Sequence, residues 1–356
     1  MGADAQPVSY VLPIRWTDDD GLEELAGYVR SIASMVQDMV VVDGSPGELF
    51  ERHRKAFGPR VRHLRPDLRL HYAMGKVNGV ETGMHAARNE RIVIADDDVR
   101  YDAQALARTT ELLGEAELVR PQNYFHPLAW HARWDTARTL LNRVFSGDLT
   151  EPASDFPGTL SIRRSFFERM GGYDGNALFE NLELIRTVRA AGGRVLSPLD
   201  LYVARRPPST GHFASQRVRQ AYDDFAMPLR MTAWLGLGPV LAAALWRRRL
   251  TAIAVGAVAV MGIAEVGRRR AGGASVFPAS SSLLAPCWML ERAVNSWRAV
   301  ADRARGGARY GGGRLPLAAH SQRQLRRRYA GRPLDATVAG GEAEEGALGA
   351  VNSVSL

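Results

Sequence analysis

Ahead of residue 200 the chain alternates short apolar runs with stretches whose apolar residues recur at helical spacing. "VSYVLPI" (8–14), "DMVVVDGS" (38–45), "RVRHLRP" (60–66) and "RIVIADDD" (91–98) read as strands. The segments 21–36, 51–58 and 75–90 between them read as helices. Strands separated by helices of this length predict right-handed βαβ units and a parallel sheet, an α/β fold. Residues 146–165, rich in Gly, Pro, Ser and Asp, predict a loop into a short strand. A helix, the Gly171–Gly172 break, a second helix over about 181–191 and a strand at 194–196 follow. "AAGG" closes that second helix as a glycine cap.

After residue 226 the pattern changes. "MTAWLGLGPVLAAALW" (231–246) and "LTAIAVGAVAVMGIAEVG" (250–267) are apolar, separated by Arg247–Arg249 and followed by Arg268–Arg270. A spanning helix needs roughly 20 apolar residues, so the first stretch is marginal and the second just long enough, with Glu265 near its end. Residues 250–264 carry no charge and arginine triplets bracket them, which favours membrane association over a pair of core helices. A tight hairpin would put Arg247–Arg249 on the far side, against the positive-inside tendency; one spanning and one interfacial helix would not. "SSLLAPCWML" (281–290) is too short to span and contains Pro286. The small, polar residues after about 336 predict disorder. The expected organisation is an α/β domain over 1–225, membrane-associated helices over 226–300, and a basic, then disordered, tail over 301–356.

Composition narrows the chemistry. With 46% hydrophobic and 24% charged residues, the 356-residue chain is that of an ordinary folded protein. The single cysteine, Cys287, excludes an intrachain disulfide framework and a cysteine-based zinc site. "MGADAQPVSY" lacks a basic region followed by an apolar one, so no secretory leader is expected, and Gln6 breaks the myristoylation pattern. The net charge is +8, and the arginine surplus gathers in "ARRPP", "WRRRL", "GRRRAGG" and "LRRRYAG". Nucleic-acid motifs and aromatic platforms are missing, and two clusters flank apolar stretches, so anionic lipid is the favoured partner and nucleic acid is not expected. The Arg-, Ala- and Gly-rich composition fits a GC-rich bacterial genome and work at the cell envelope.

Against that net charge, acid collects at strand ends: Asp43 closes the second strand, and Asp96, Asp97 and Asp98 close the fourth. Ligands of open parallel sheets gather at the carboxyl ends of the strands. A later helix begins with Glu180 and Glu183, behind "GGYDG". In these features the chain resembles the family 2 glycosyltransferases, which have the GT-A, Rossmann-like nucleotide-diphospho-sugar transferase fold. The stretches that carry the resemblance are "VSYVLPIRW", "MVVVDGSP", "GKVNGVETGMHAARNERIVIADDDV" and "FPGTLSIRRSFFERMGGYDGNALFENLELIRTVRAAGGRV". They stand in the family's order and cover roughly residues 8–200.

The resemblance implies a nucleotide-diphosphate sugar donor, Mn²⁺ or Mg²⁺, and a lipid-linked or glycan acceptor. Hard cations want oxygen ligands, one or two carboxylates plus the substrate's phosphates. Asp96 and Asp98 match the Asp-x-Asp motif, with Asp98 on the metal and Asp96 on the ribose or the metal; a frame moved onto Asp97 stays open. Asp43 matches the base-binding aspartate, one of Asp18, Asp19 and Asp20 an acidic position near the first strand, and Lys76 a position near the nucleotide. "SQRVRQ" resembles the Gln-x-x-Arg-Trp motif of membrane-linked members, with Gln216 and Arg219 matching and Gln220 in place of tryptophan. His212 is a candidate third metal ligand.

An inverting transfer needs a base for the acceptor hydroxyl. The family's base falls here on Asn181, which cannot act as one. Glu180 or Glu183 serving instead, an acceptor that arrives already ionised, and a degenerate binding or scaffold protein are the three explanations, with Glu180 the preferred base. A nucleotidyltransferase is disfavoured, because "LPIRWTDDD" lacks the early Gly-rich phosphate loop. The reading is a glycosyltransferase at the cell membrane with its catalytic domain cytoplasmic.

Overall fold

The computed structural model describes residues 5–146 and 157–330. In chain order it begins with β1 (Gln6–Ile14), α1 (Leu22–Met35), β2 (Val36–Asp43), α2 (Gly47–Phe57), β3 (Val61–Leu64) and α3 (Gly75–Ala86). β4 (Arg91–Ala95), β5 (Val99–Arg100), α4 (Ala103–Leu112), β6 (Leu118–Val119), β7 (Gln122–Phe125) and α5 (Trp130–Phe145) follow. Next come β8 (Thr159–Arg163), α6 (Arg164–Met170), α7 (Glu180–Ala190), β9 (Val195–Leu196), β10 (Tyr202–Arg205) and α8 (Thr210–Tyr222). The remainder holds α9 (Pro228–Trp246), α10 (Leu250–Arg269), α11 (Ala279–Leu283), α12 (Ala285–Ala304), the hairpin β11 (Ala308–Tyr310)–β12 (Gly313–Leu315), and α13 (Gln322–Tyr329).

The main sheet has seven strands in the order β3-β2-β1-β4-β8-β6-β9, all parallel except β8. Side chains alternate across a strand, and both faces here are apolar. Val11, Val40, Val42, Ile92 and Ile94 enter one core with Val77, Val80 and Met84 of α3. Tyr10, Leu12, Met39, Val41 and Val93 enter the opposite core with Leu25, Val29 and Ile32 of α1. Helices therefore cover both faces, and the carboxyl ends of β1, β2 and β4 open on one edge. The expected βαβ alternation is present, with small shifts at the ends. The fourth strand stops at Ala95, so the three aspartates form the turn into β5 rather than the end of the strand.

A second sheet, β5-β10-β7, has no counterpart in the apolar pattern, because its strands are only two to four residues long. It pairs Arg205 with Val99 and Ala204 with Arg100, which fixes the end of β10 beside the aspartate turn.

α9 and α10 are long and apolar enough to cross a membrane, and only 6% and 11% of their apolar windows are buried in the protein. The last turns of α10 pack on α5 through Ala264, Ala137 and Leu140. Gly267 permits that approach, since a Cβ there would lie 1.9 Å from the Leu140 carbonyl oxygen. Pro286 breaks nothing: it sits in the first turn of the 20-residue α12, where its missing N–H costs no hydrogen bond. The expectation of a basic tail beyond 301 is met differently. Residues 308–329 form a hairpin and a helix whose Ala308, Leu315 and Ala318 join the main core. Residues 147–156 of the predicted loop and the whole segment after 336 lie outside the described residues.

Helix α3 rests on β1 through two glycines. A Cβ on Gly79 would meet Pro13 Cβ at 2.8 Å, and one on Gly83 would meet Val11 Cγ1 at 2.3 Å. Gly83→Ala should overpack this contact and lower stability by about 1–3 kcal/mol. Chemical unfolding of the detergent-solubilised chain measures it, and an unchanged midpoint would contradict the packing described.

Candidate active site

A cavity of about 360 Å³ opens at the carboxyl edge of the parallel strands. Its wall includes Lys76 from α3, Asp96 and Asp98 from the β4–β5 turn, Glu180 and Asn181 from α7, Arg205 from β10, and His212, Gln216, Arg219 and Gln220 from α8. That size suits a small-molecule ligand.

The three consecutive aspartates separate into two roles. Asp97 accepts a hydrogen bond from Trp16 Nε1 at 2.6 Å, while Asp96 and Asp98 line the cavity. Of the three aspartates, Asp96 and Asp98 thus share the cavity wall. Lys76 Nζ bridges Asp96 Oδ1 and Glu180 Oε1, each at 2.6 Å. Arg205 Nε meets Asp98 Oδ2 at 2.5 Å, and its Nη2 lies 3.5 Å from Asp96 Oδ2. Gly158 closes this cluster from beneath: its carbonyl accepts the Asp96 N–H at 2.8 Å, and a Cβ there would lie 2.7 Å from Asp96 Oδ2.

Burial pushes the Asp98 carboxyl up to about 6, against the pull of Arg205 and with the push of Asp96 and Asp97. Burial works against the Lys76 charge, but Asp96 and Glu180 outweigh it and hold the ammonium firmly protonated. Asp98 Oδ1 is enclosed and has no hydrogen-bond partner among the described residues. An orphaned carboxylate oxygen beside a second carboxylate fits a hard cation, whose remaining ligands come from phosphate and water. His212 does not complete the set. It is exposed in the first turn of α8, and among the described residues no three His, Cys, Asp or Glu side chains converge as a metal site.

Three expected site residues make structural contacts instead. Asp43 is fully buried; Oδ1 accepts the Ser45 N–H at 2.8 Å, and Oδ2 lies 2.7 Å from His53 Nδ1 and 3.0 Å from His63 Nε2. Burial opposes its ionisation, but these bonds outweigh that and hold the carboxyl well below the usual carboxylate range. Satisfied from within, it has no face toward a nucleobase. Asp19, among the three candidates near the first strand, pairs with Arg52 of α2 at 2.5 Å. Glu183 is likewise buried, and accepts from the His320 N–H at 2.8 Å and from the His320 ring at 2.9 Å. It anchors the segment before α13 and does not line the cavity.

Glu180 does reach the cavity, tied to Lys76. Asn181 donates its side-chain N–H to the Pro157 carbonyl at 3.0 Å, a bond that a carboxylate cannot make. Gln216 and Arg219 face the cavity together, with Arg219 Nη1 3.4 Å from Gln216 Oε1 and its guanidinium 5.1 Å from the Tyr310 ring. α8 is held in place by Arg217, whose Nη1 bonds Asp135 of α5 at 2.9 Å and Nη2 bonds Glu291 of α12 at 2.6 Å. Asp135 is kept down at about 2, since Arg138 and Arg217 outweigh its burial.

Sequence reasoning missed Arg205, Asp135 and Asp223, all of which line the cavity. The "ARRPP" cluster was the one signal for Arg205, and charge patterning alone reads it as surface.

No protein-family model matches the chain, and no curated protein matches it. Solved structures do align with it. A mannosyltransferase from Pyrobaculum calidifontis, in complex with GDP-Man and Mn²⁺, is 17% identical over 83% of this chain and 88% of its own, with a TM-score of 0.49. Glucosyl-3-phosphoglycerate synthase from Mycobacterium tuberculosis, in complex with Mn²⁺, UDP-glucose and phosphoglyceric acid, is 16% identical over 58% and 74%, with a TM-score of 0.42. Both likenesses fall short of what would carry chemistry from one chain to another.

Because Gln can accept at only one of Glu183's two oxygens, Glu183→Gln should cost about 1–3 kcal/mol. It should also expose residues 320–330 to proteolysis while leaving ligand binding at the cavity intact. Unchanged protease resistance would contradict the anchoring role.

Proposed function

We propose that this chain is a GT-A glycosyltransferase akin to family 2, moving a sugar from a nucleotide-diphosphate donor to a lipid-linked or membrane-proximal acceptor with inversion. The observation that carries the reading is the pair Asp96 and Asp98 at the carboxyl edge of a parallel sheet, with Asp98 Oδ1 unpartnered among the described residues and Lys76, Arg205 and Arg219 in the same cavity. Asp96 and Asp98 would hold Mn²⁺ or Mg²⁺, which when bound offsets the charge of the diphosphate and eases its departure.

The chain's own cations do complementary work. Arg205 and Lys76 offset the repulsion between the two aspartates, and both face the space a diphosphate would fill. Glu180 orients Lys76 by its 2.6 Å contact. Arg219 and Gln216, one helical turn apart, present a cation and an amide to the cavity from α8.

Membrane attachment is supported by α9 and α10, whose apolar faces are exposed at Leu229, Val240, Leu245, Val255 and Val258. α12 adds an exposed stripe of Leu290, Val294 and Trp297 at helical spacing. The arginines at 268–270 sit at the end of α10 that packs on α5, which supports a cytoplasmic side for the catalytic domain. An acceptor anchored in the bilayer would reach the cavity from that side.

A nucleoside diphosphate at about 100 times its dissociation constant should stabilise the chain by roughly 2.7 kcal/mol. With Mn²⁺ present, thermal shift with UDP or GDP should show this gain, and Asp98→Asn should lose the metal-dependent part; no shift with any nucleotide would contradict the reading. The chain should also stay in the membrane pellet after alkaline washing. Release into the supernatant would remove the spanning helices from the proposal.

A further inference from the structure

We infer that Asp223 takes the proton from an acceptor hydroxyl, in place of the carboxylate missing at position 181. The inference rests on the glycosyltransferase reading and adds to it that the acceptor atom is a hydroxyl oxygen rather than an ionised phosphate. Asp223 opens the short 3₁₀ turn Asp223–Ala226 directly after α8, and its side chain lines the same cavity as Asp96, Glu180 and Asn181.

The other carboxylates on that wall are engaged. Asp96 meets Lys76, Asp98 meets Arg205, Glu180 meets Lys76, and Asp135 meets Arg217, all within 2.9 Å. Asp223, in contrast, forms no side-chain ion pair or hydrogen bond among the described residues, and its Oδ1 is enclosed without a partner. Its neighbour Asp224 is outside the cavity wall and pairs with Arg230 at 3.1 Å. A base must keep a lone pair free for the incoming proton.

The charges around Asp223 suit the task. Burial pushes its carboxyl up to about 7; Arg219 on α8 and Arg292 on α12 pull it down, and Asp224 and Glu180 on α7 push it up. Arg138 and Asp135 of α5 and Tyr310 of β11 complete the polar wall. A base poised near the working pH is ionised in good part and still basic. In the transfer, the acceptor oxygen bonds to the anomeric carbon as the bond from that carbon to the diphosphate oxygen breaks. The bonding pair leaves with the nucleoside diphosphate, and the hydroxyl proton goes to the Asp223 carboxylate.

The test uses the full-length chain in detergent with Mn²⁺, UDP-glucose and GDP-mannose as probes, and water as the hydroxyl acceptor. Wild type should release UDP or GDP with an acidic limb in its pH profile. Asp223→Asn should bind UDP or GDP as wild type does, lose about 100-fold or more in turnover, and lose that limb. Turnover within threefold of wild type, or loss of nucleotide binding along with turnover, would overturn the inference and leave the glycosyltransferase reading standing. A wild type that neither binds nor hydrolyses either donor overturns both. If Asp223→Asn does not fold, Asp223→Glu decides: the longer arm should keep the limb and move its midpoint, and an unmoved profile overturns the role.

Discussion

The structure turns on a cluster of charges that no apolar core could tolerate unpaired. Asp96, Asp98 and Glu180 are drawn into one cavity, and Lys76 and Arg205 make that arrangement stable. Removing either cation would leave carboxylates crowded in a poorly solvated space, and such losses cost several times what a surface pair contributes. The same pairing keeps the aspartates at the mouth of the sheet without a ligand and leaves one oxygen, Asp98 Oδ1, unspent.

Delivering those charges to one point explains much of the remaining architecture. Glycines at 79 and 83 bring α3 close to β1, so that Lys76 at its start meets the aspartate turn. The small second sheet exists to register β10 against β5, which sets Arg205 opposite Asp98. Arg217 ties α8 to α5 and α12, and so couples the cavity wall to the helices that pack beside the apolar pair α9 and α10. His320, docked on Glu183, brings the C-terminal helix against α7. A cavity assembled from so many separate elements takes its geometry from tertiary packing.

The parallel sheet and the aspartate motif were legible in the sequence, because two-residue alternation, helical spacing and acid at a strand end are local signals. "RIVIADDD" located the turn at the cavity, although only the contact of Trp16 with Asp97 decides which two aspartates face it. Asp43 and Glu183 show where local pattern fails. Each occupies the expected place, but His53, His63 and His320 arrive from distant segments and consume its hydrogen-bonding capacity. Asp223 fails in the opposite sense: "AYDDFAM" carries no motif, and only tertiary packing distinguishes it from the ion-paired Asp224 beside it. Arg205 likewise looked like part of a basic surface cluster until β10 placed it on the aspartates.

The central claim is that Asp96 and Asp98 present a divalent cation to a nucleotide diphosphate. Anomalous diffraction at the manganese edge, from crystals grown with Mn²⁺ and UDP or GDP, tests it most directly. One strong peak is expected at Asp98, within coordination distance of both the carboxylate and the diphosphate. A diphosphate bound with no manganese at that turn, its charge met by Arg205 and Lys76 alone, would contradict it.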